Sequence, residues 1–437
     1  MTRTDAAPSG PPRAAVVVTG TEVLTGRVTD RNGPFLAERL RQLGVDVGRV
    51  VVVGDRRDDL ASALSYLLDE HDLVITSGGL GPTADDLTVE VVAAVQGRVV
   101  RHDEALEQRI RDRVAGIVRR RGWSTPTAVL EVGTRKQAMV PEGAHVLEPV
   151  GTAPGVVVTP ASGEGTPVVV LPGPPGELQP MWAAAEADDL VRAVLDRGRE
   201  IRQGTVRIWG PPEAELAALL RDLQEETGSP LDEQGLEITT CLRKGELEVV
   251  TRYAPAASPA YERLVAALHD RFGDQVFADD ARSVDDVVAE ALLARGETVA
   301  TAESCTAGML AARFADRPGS SAYLLGGLVT YANQAKVDLA GVPQQLLDSV
   351  GAVSAEVAEA MAVGARERVG STYGIGVTGV AGPDGGTAGK PVGLVHVCLA
   401  GPSGTRPVEL HLGGPRDEIR LRTTIAALHL LRRELED

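Results

Sequence analysis

Three short stretches near the C-terminal end carry side chains able to attack an amide. They are Ala302-Glu303-Ser304-Cys305-Thr306-Ala307-Gly308, Thr330-Tyr331-Ala332-Asn333-Gln334-Ala335-Lys336 and Val377-Thr378-Gly379-Val380-Ala381-Gly382-Pro383-Asp384-Gly385-Gly386. Together they offer a hydroxyl, an amine and a glycine-lined loop, enough for acyl transfer without a metal or a histidine. Ser304 follows a short apolar run and precedes good helix formers over Ala307–Ala315, so it is expected where a strand turns into a helix. There the N–H groups and dipole of the helix start would favour an oxyanion. Taken alone, a serine before a helix reads equally as an N-cap.

Lysine usage singles out Lys336. Of 44 basic residues, lysine stands only at Lys136, Lys244, Lys336 and Lys390, and arginine takes the other 40. Arginine cannot lose its proton in a protein, whereas a desolvated lysine can serve as a base. Lys244, in the turn-like Arg243-Lys244-Gly245-Glu246, reads as a solvated surface residue, which leaves Lys336 and Lys136 as the candidates. Cys305 is the rival nucleophile, because thiolates are intrinsically better. Gly376 to Gly386 is glycine-rich enough for backbone N–H groups to approach an anion, the alternative being a surface turn.

Composition sets the outer bounds. A chain of 437 residues that is 43% hydrophobic can bury a large core and suggests about three domains. Its net charge of −17 and lack of a basic stripe argue against a nucleic-acid partner. Small anionic ligands stay compatible with it, at an arginine or a helix N-terminus. Cys241, Cys305 and Cys398 form no CxxC and no even framework, which fits a reducing cytosol. Met1 to Arg13 reads as a disordered Pro/Ala/Ser tail, and no stretch is long and apolar enough to span a membrane. The expectation is a soluble cytoplasmic protein without a membrane partner.

These residues must be positioned by an α/β scaffold. From residue 14 to 180, β-branched runs alternate with amphipathic stretches, the pattern of a parallel sheet wrapped by helices. Strands are expected at Ala14–Thr19, Val47–Val53, Leu73–Thr76, Val156–Val158 and Val168–Leu171, with helices at Asn32–Leu43 and Asp58–Glu70. The block Pro172-Gly173-Pro174-Pro175-Gly176 reads as a domain end. Residues 199–277 read as a small α+β module, strand-helix-strand-strand-helix, serving as a spacer or dimerisation element. From 283 to 437 a second α/β domain is expected, with strands at Thr298–Ala302, Leu328–Thr330, Gly374–Thr378 and Gly393–Leu399 and a last helix at Arg416–Glu434.

The C-terminal motifs resemble those of the competence/damage-inducible protein A (CinA) family: Glu-Ser-Cys-Thr-Gly-Gly, Tyr-x-Asn-x-x-Lys and Gly-x-Ala-Gly-Pro-x-Gly-Gly. That resemblance implies a nicotinamide-nucleotide amidase, converting nicotinamide mononucleotide to nicotinate mononucleotide and ammonia with no cofactor. Carried over by position, Ser304 is the nucleophile and Lys336 its base, with Thr378 and Tyr331 orienting them. Thr306, Gly379, Gly382, Gly385 and Gly386 would line the substrate. Arg416 would hold the nucleotide phosphate or else form a salt bridge at a helix start. Ala307 departs from the family, standing where the first of two glycines is usual, and its methyl is expected to narrow the pocket. A homo-oligomer is also implied.

The N-terminal part resembles the same family's first domain, of molybdopterin-binding, MogA-type fold. The matching residues include Glu22, Asp30, Asn32, Gly78, Gly79, Gly81, Pro82, Thr83 and Lys136. Gly78 to Thr83 is expected at the carboxyl end of a strand, the usual place for ligands on an open sheet. Asp85 and Asp86 offer two hard oxygen donors for a divalent metal, or merely complement a helix N-terminus. The resemblance implies metal-dependent hydrolysis of ADP-ribose there. Glu148, where the family commonly has Asn, would repel a phosphate. Two other readings remain open: a pterin- or nucleotide-binding protein without turnover, and a non-enzymatic accessory to DNA uptake.

Overall fold

The computed structural model describes residues 10–121, 127–243 and 245–436. The expected tail up to residue 9 and the Lys244 position lie outside the described residues. The chain divides into two compact units, Met1–Ile201 and Arg202–Asp437. No helix among the described residues is long and apolar enough to cross a membrane.

The first unit opens with β1 (Arg13–Thr19), α1 (Thr21–Leu24), α2 (Asn32–Gln42), β2 (Asp46–Val53), α3 (Arg57–Glu70), β3 (Leu73–Ser77) and α4 (Thr88–Val95). It continues through β4 (Val100–His102), α5 (Glu104–Arg121), α6 (Thr127–Gln137), β5 (Met139–Pro141), β6 (His145–Leu147), β7 (Gly155–Val158), β8 (Val168–Leu171), α7 (Pro175–Ala187) and α8 (Asp189–Leu195). The main sheet runs β2-β1-β3-β8-β7-β6, its first four strands parallel and β7 and β6 antiparallel.

Period two in β1 explains why both sheet faces are covered. Ala14, Val16 and Val18 meet Leu36, Leu40 and Trp182 on one face. Ala15 and Val17 meet Leu64, Leu67, Val91 and Leu106 on the other. Two expectations are corrected here. Arg13 already belongs to β1 and is not tail, and the Pro172–Gly176 block does not end the domain. Pro175 instead starts α7 as its first residue, where a missing N–H costs nothing. Met181, Trp182 and Ala185 then bury against the same core.

The second unit begins with β9 (Arg202–Trp209), α9 (Glu213–Thr227), β10 (Leu236–Arg243), β11 (Glu246–Tyr253), α10 (Ser258–Phe272) and β12 (Val276–Ala278). These form an antiparallel sheet in the order β10-β11-β9-β12, its last strand unforeseen from sequence. Then come α11 (Val284–Arg295), β13 (Val299–Glu303), α12 (Met309–Ala315), β14 (Leu324–Val329), α13 (Asn333–Ala340), α14 (Gln344–Val350) and α15 (Ala355–Val369). The chain closes with β15 (Tyr373–Gly379), β16 (Leu394–Gly401), β17 (Gly404–His411) and α16 (Arg416–Glu436).

The second sheet runs β14-β13-β15-β16-β17. β14, β13 and β15 are parallel, so their carboxyl ends share one edge. α15 packs flush on β15 because of glycine: a Cβ on Gly376 would stand 2.1 Å from the Ala358 carbonyl oxygen. On the other face, α11, α12 and α16 bury Val288, Phe314, Leu428 and Leu431. α16 also reaches the antiparallel sheet. His429 stacks on Trp209 at 4.2 Å and bonds Glu246 through Nε2 at 2.8 Å, while its Nδ1 has no partner.

Candidate active site

Ser304 is the first residue beyond β13, and its backbone N–H donates to the Val377 carbonyl on β15 at 2.9 Å. Lys336 comes from α13, which follows the neighbouring strand β14. Parallel order therefore brings together two residues 32 positions apart: Lys336 Nζ lies 3.1 Å from Ser304 Oγ. The same nitrogen donates to the carbonyls of Thr330 at 2.9 Å and Tyr331 at 3.3 Å. Lys336 is 1% exposed and, among the described residues, has no ion-pair partner. Burial pushes its pKa down, with a smaller opposing influence from Cys305. The three N–H groups of the ammonium match these two carbonyls and the serine oxygen, and burial shifts the balance toward the neutral amine, whose lone pair would face the serine hydroxyl.

The helix start after Ser304 differs from the expectation. α12 begins at Met309 rather than Ala307, because Ala307 and Gly308 both adopt left-handed backbone, with φ of 52° and 89°. The carboxylate of Glu303, fully buried, then caps the helix: it accepts from the N–H groups of Gly308, Leu310 and Ala311 at 2.8–3.0 Å, and from the Thr301 hydroxyl at 3.0 Å. The Met309 N–H goes to the Thr306 carbonyl and that of Ala312 to Gly308. The N–H groups expected to face an oxyanion are thus already occupied by a side chain of the protein itself. The Ala307 methyl is exposed, so the departure from glycine bears on backbone conformation and not on pocket width.

Cys305 is 5% exposed and burial pushes its thiol up to about 11, leaving it protonated at neutral pH. Thr378 is buried and its hydroxyl donates to the Ala352 carbonyl at 2.7 Å, so its proton is committed to that carbonyl and not to Ser304 or Lys336. Tyr331 touches Lys336 through its carbonyl only. Its exposed phenol receives a bond from Arg416 Nη2 at 3.0 Å, and Arg416 Nη1 donates to the Gly382 carbonyl at 2.6 Å. Among the described residues Arg416 forms no helix-start salt bridge: it ties the glycine loop to Tyr331. Thr306 is wholly buried with an unpartnered hydroxyl.

Among the loop glycines, Gly379 and Gly382 serve close packing. An added Cβ would meet Val395 Cγ2 at 2.7 Å and Val392 Cγ1 at 2.6 Å respectively. A Cβ on Gly386 would lie 3.0 Å from Val392, and Gly385 opens to free space with φ of 87°. One residue escaped the sequence reading. Arg420 on α16 bonds the carbonyls of Cys305 and Thr306, at 3.0 and 2.9 Å. Its signal was a four-residue spacing from Arg416, which puts both on one helix face.

The first unit has a cavity of about 500 Å³ at the carboxyl ends of β1, β3 and β8. Glu22, Asp30, Asn32, Gly78, Gly79, Gly81, Asp85 and Asp86 line it, joined by Asp55 and Glu177, which were not singled out from sequence. Glycine is obligatory at its floor: a Cβ on Gly79, at φ 69°, would lie 2.1 Å from Thr88 Oγ1. Asn32 bonds Ser77 Oγ and the Gly173 carbonyl, while its own buried Oδ1 has no partner. Asp30 caps α2 through the N–H groups of Asn32 and Gly33.

Pro82, Thr83 and Lys136 stand beside this cavity. Thr83 Oγ1 contacts Asp85 at 2.5 Å and Asp86 at 2.6 Å, and Lys136 donates to the Thr83 carbonyl. The Thr83 hydroxyl, helped by the Asp85 N–H and Lys136, lowers the Asp85 pKa. Burial raises that of Glu177. Glu148 pairs with Arg109 at 3.2 Å outside the cavity lining, so its charge is answered locally.

Two family models match, the CinA C-terminal domain over residues 281–435 and the probable molybdopterin binding domain over 15–190. A CinA-like protein of Mycobacterium sp. (strain MCS) is 54% identical over 430 residues, covering 97% of this chain and 99% of its own. The chain belongs to the CinA-like family. The CinA-like protein of Mycobacterium tuberculosis (strain ATCC 25177 / H37Ra) is 48% identical over 429 residues, 97% of each chain. Among solved structures, a competence/damage inducible protein from Agrobacterium tumefaciens is 38% identical, spanning 37% of this chain and all of its own, with a TM-score of 0.34. The α/β architecture of a CinA C-terminal domain and a molybdopterin-binding-type N-terminal domain accords with these matches.

Proposed function

We propose that the C-terminal domain is a nicotinamide-nucleotide amidase working through Ser304 and Lys336. The observation that carries this reading is the 3.1 Å approach of a buried lysine, without an acid partner among the described residues, to a serine at the end of a parallel strand. Lys336 takes the Ser304 proton as Oγ bonds to the carboxamide carbon. The resulting ammonium gives that proton to the departing nitrogen, the C–N bond breaks and ammonia leaves. Water, deprotonated by the neutral amine, then cleaves the ester to release nicotinate mononucleotide. Arg416, exposed and among the described residues bonded only to neutral oxygens, would hold the nucleotide phosphate.

For the N-terminal domain we propose metal-assisted cleavage of ADP-ribose. Among the described residues no three metal-binding side chains converge. Asp85 and Asp86 would therefore share the ion with substrate oxygens, as small hard cations commonly require. The metal would neutralise diphosphate charge. Glu22, Asp30 and Asn32 would face the rest of the ligand from the cavity wall, and the unpartnered Asn32 Oδ1 would accept from it.

The deciding measurement is ammonia release from nicotinamide mononucleotide by the full chain and its Ser304→Ala variant. Release by the first and not the second is expected. Folded wild-type protein that releases none would leave a ligand-binding protein without amidase turnover.

A further inference from the structure

Arg420 sits one helical turn beyond Arg416, yet its bonds run to a different segment, the turn after the nucleophile. Its Nε donates to the Cys305 carbonyl at 3.0 Å and its Nη2 to the Thr306 carbonyl at 2.9 Å. These are the first two residues after Ser304, and the guanidinium is partly buried over them. A planar fork matches two adjacent carbonyls in a way an ammonium cannot.

Each of those bonds fixes more than an oxygen. In a trans peptide the C=O and the following N–H point in opposite directions. Holding the Cys305 carbonyl therefore sets the direction of the Thr306 N–H, and holding that of Thr306 sets the Ala307 N–H, which donates to the Ser304 carbonyl at 3.1 Å. The turn so held contains Ala307 in a left-handed conformation, and such strain persists only where neighbours over-determine it. Glu303 binds the far end of the turn, and Arg420 the near end.

With Glu303 on the N–H groups of Gly308, Leu310 and Ala311 and Arg420 on the carbonyls of Cys305 and Thr306, the turn after Ser304 is held from both ends. We propose that Arg420 is a positioning residue for the amidase: by pinning the Cys305 and Thr306 carbonyls it holds the turn that aims the Ser304 hydroxyl. This rests on the amidase reading above.

The test uses the full chain with Arg420→Lys and Arg420→Ala, each assayed for ammonia release beside wild type, with folded content followed by circular dichroism. Because both bonds of Arg420 go to backbone carbonyls beside the nucleophile, kcat is expected to fall about 10²-fold with KM within about threefold. Millimolar guanidinium is expected to restore part of the kcat of Arg420→Ala and to leave wild type unchanged. If Arg420→Ala does not fold, Arg420→Lys decides, since it keeps the charge and loses the fork. Wild-type kcat in folded Arg420→Lys overturns this proposal alone, as does a loss that falls on KM. A wild-type chain without ammonia release overturns the amidase reading, and this proposal falls with it.

Discussion

The two candidate sites occupy the same place in two sheets and are built in opposite ways. In each, a glycine-bearing turn follows the carboxyl end of a parallel strand. In the first unit that turn walls an open hollow of about 500 Å³ ringed by carboxylates, with Arg31 the only basic residue in the lining. In the second, a single amine is sealed among carbonyls beside a serine, and the nearby carboxylate of Glu303 is turned away to cap a helix. An open acidic hollow suits a ligand that arrives with its own cation, whereas a dry amine suits proton transfer without one. Topology chooses where a site lies, and desolvation chooses its chemistry.

The comparison breaks most completely at Ser304. Ser304→Ala should lower ammonia release by at least about 10⁴-fold, while Cys305→Ala stays within a few-fold of wild type. The reverse pattern would make the thiol the nucleophile. Next comes Lys336→Arg, expected to lose about 10³-fold because arginine stays protonated. In wild type the amine pKa is lowered, so kcat should be present above that lowered pKa and fall as pH drops through it; no such acid limb should survive in Lys336→Arg. A pH–rate series on both proteins reads this directly.

Metal removal separates the halves. A chelator, or Asp85→Asn with Asp86→Asn, should abolish ADP-ribose hydrolysis and leave ammonia release unchanged, each product being assayed in the same sample. Loss of both activities would join what the geometry divides.

Stability sharpens the contrast further. Burial lowers the His429 pKa to about 4, from an ordinary 6.5. A depressed pKa means that the unfolded chain takes up the proton first. The contribution of His429 is therefore complete above pH 6.5 and declines as pH falls toward 4, by roughly 3 kcal/mol in all. Urea unfolding of wild type and His429→Phe between pH 6.5 and 5 should show a steeper decline in wild type. The smallest effect is at Ala307: glycine there relieves the left-handed strain and should add about 0.5–1 kcal/mol, read as a raised midpoint in the same assay.

The α/β class and the family were legible in the sequence because both rest on local signals, β-branched runs and contiguous motifs. Lys336 was visible for a compositional reason, as one of four lysines among 44 basic residues. Arg420 was hidden by the same statistic, since one arginine among 40 offers no contrast. Glu303 stood inside a recognised motif, yet its cap on residues five to eight positions onward depends on how the chain turns after β13. β12 and β17 were missed because an antiparallel partner is chosen by long-range pairing, which weak local patterns do not announce. The helix boundary at Met309 slipped because propensity favoured alanine where the backbone turns left-handed.

The seclusion of Lys336 also bears on how the proposed amidase would be inhibited. Burial disfavours a fixed positive charge beside the serine, which leaves an acidic warhead little to pair with. Uncharged electrophiles such as boronic acids or aldehydes, which become anionic only after bonding to Oγ, would let the amine acquire its charge in the same event. Carboxylate and phosphonate analogues, already charged on arrival, would have to be desolvated without that compensation.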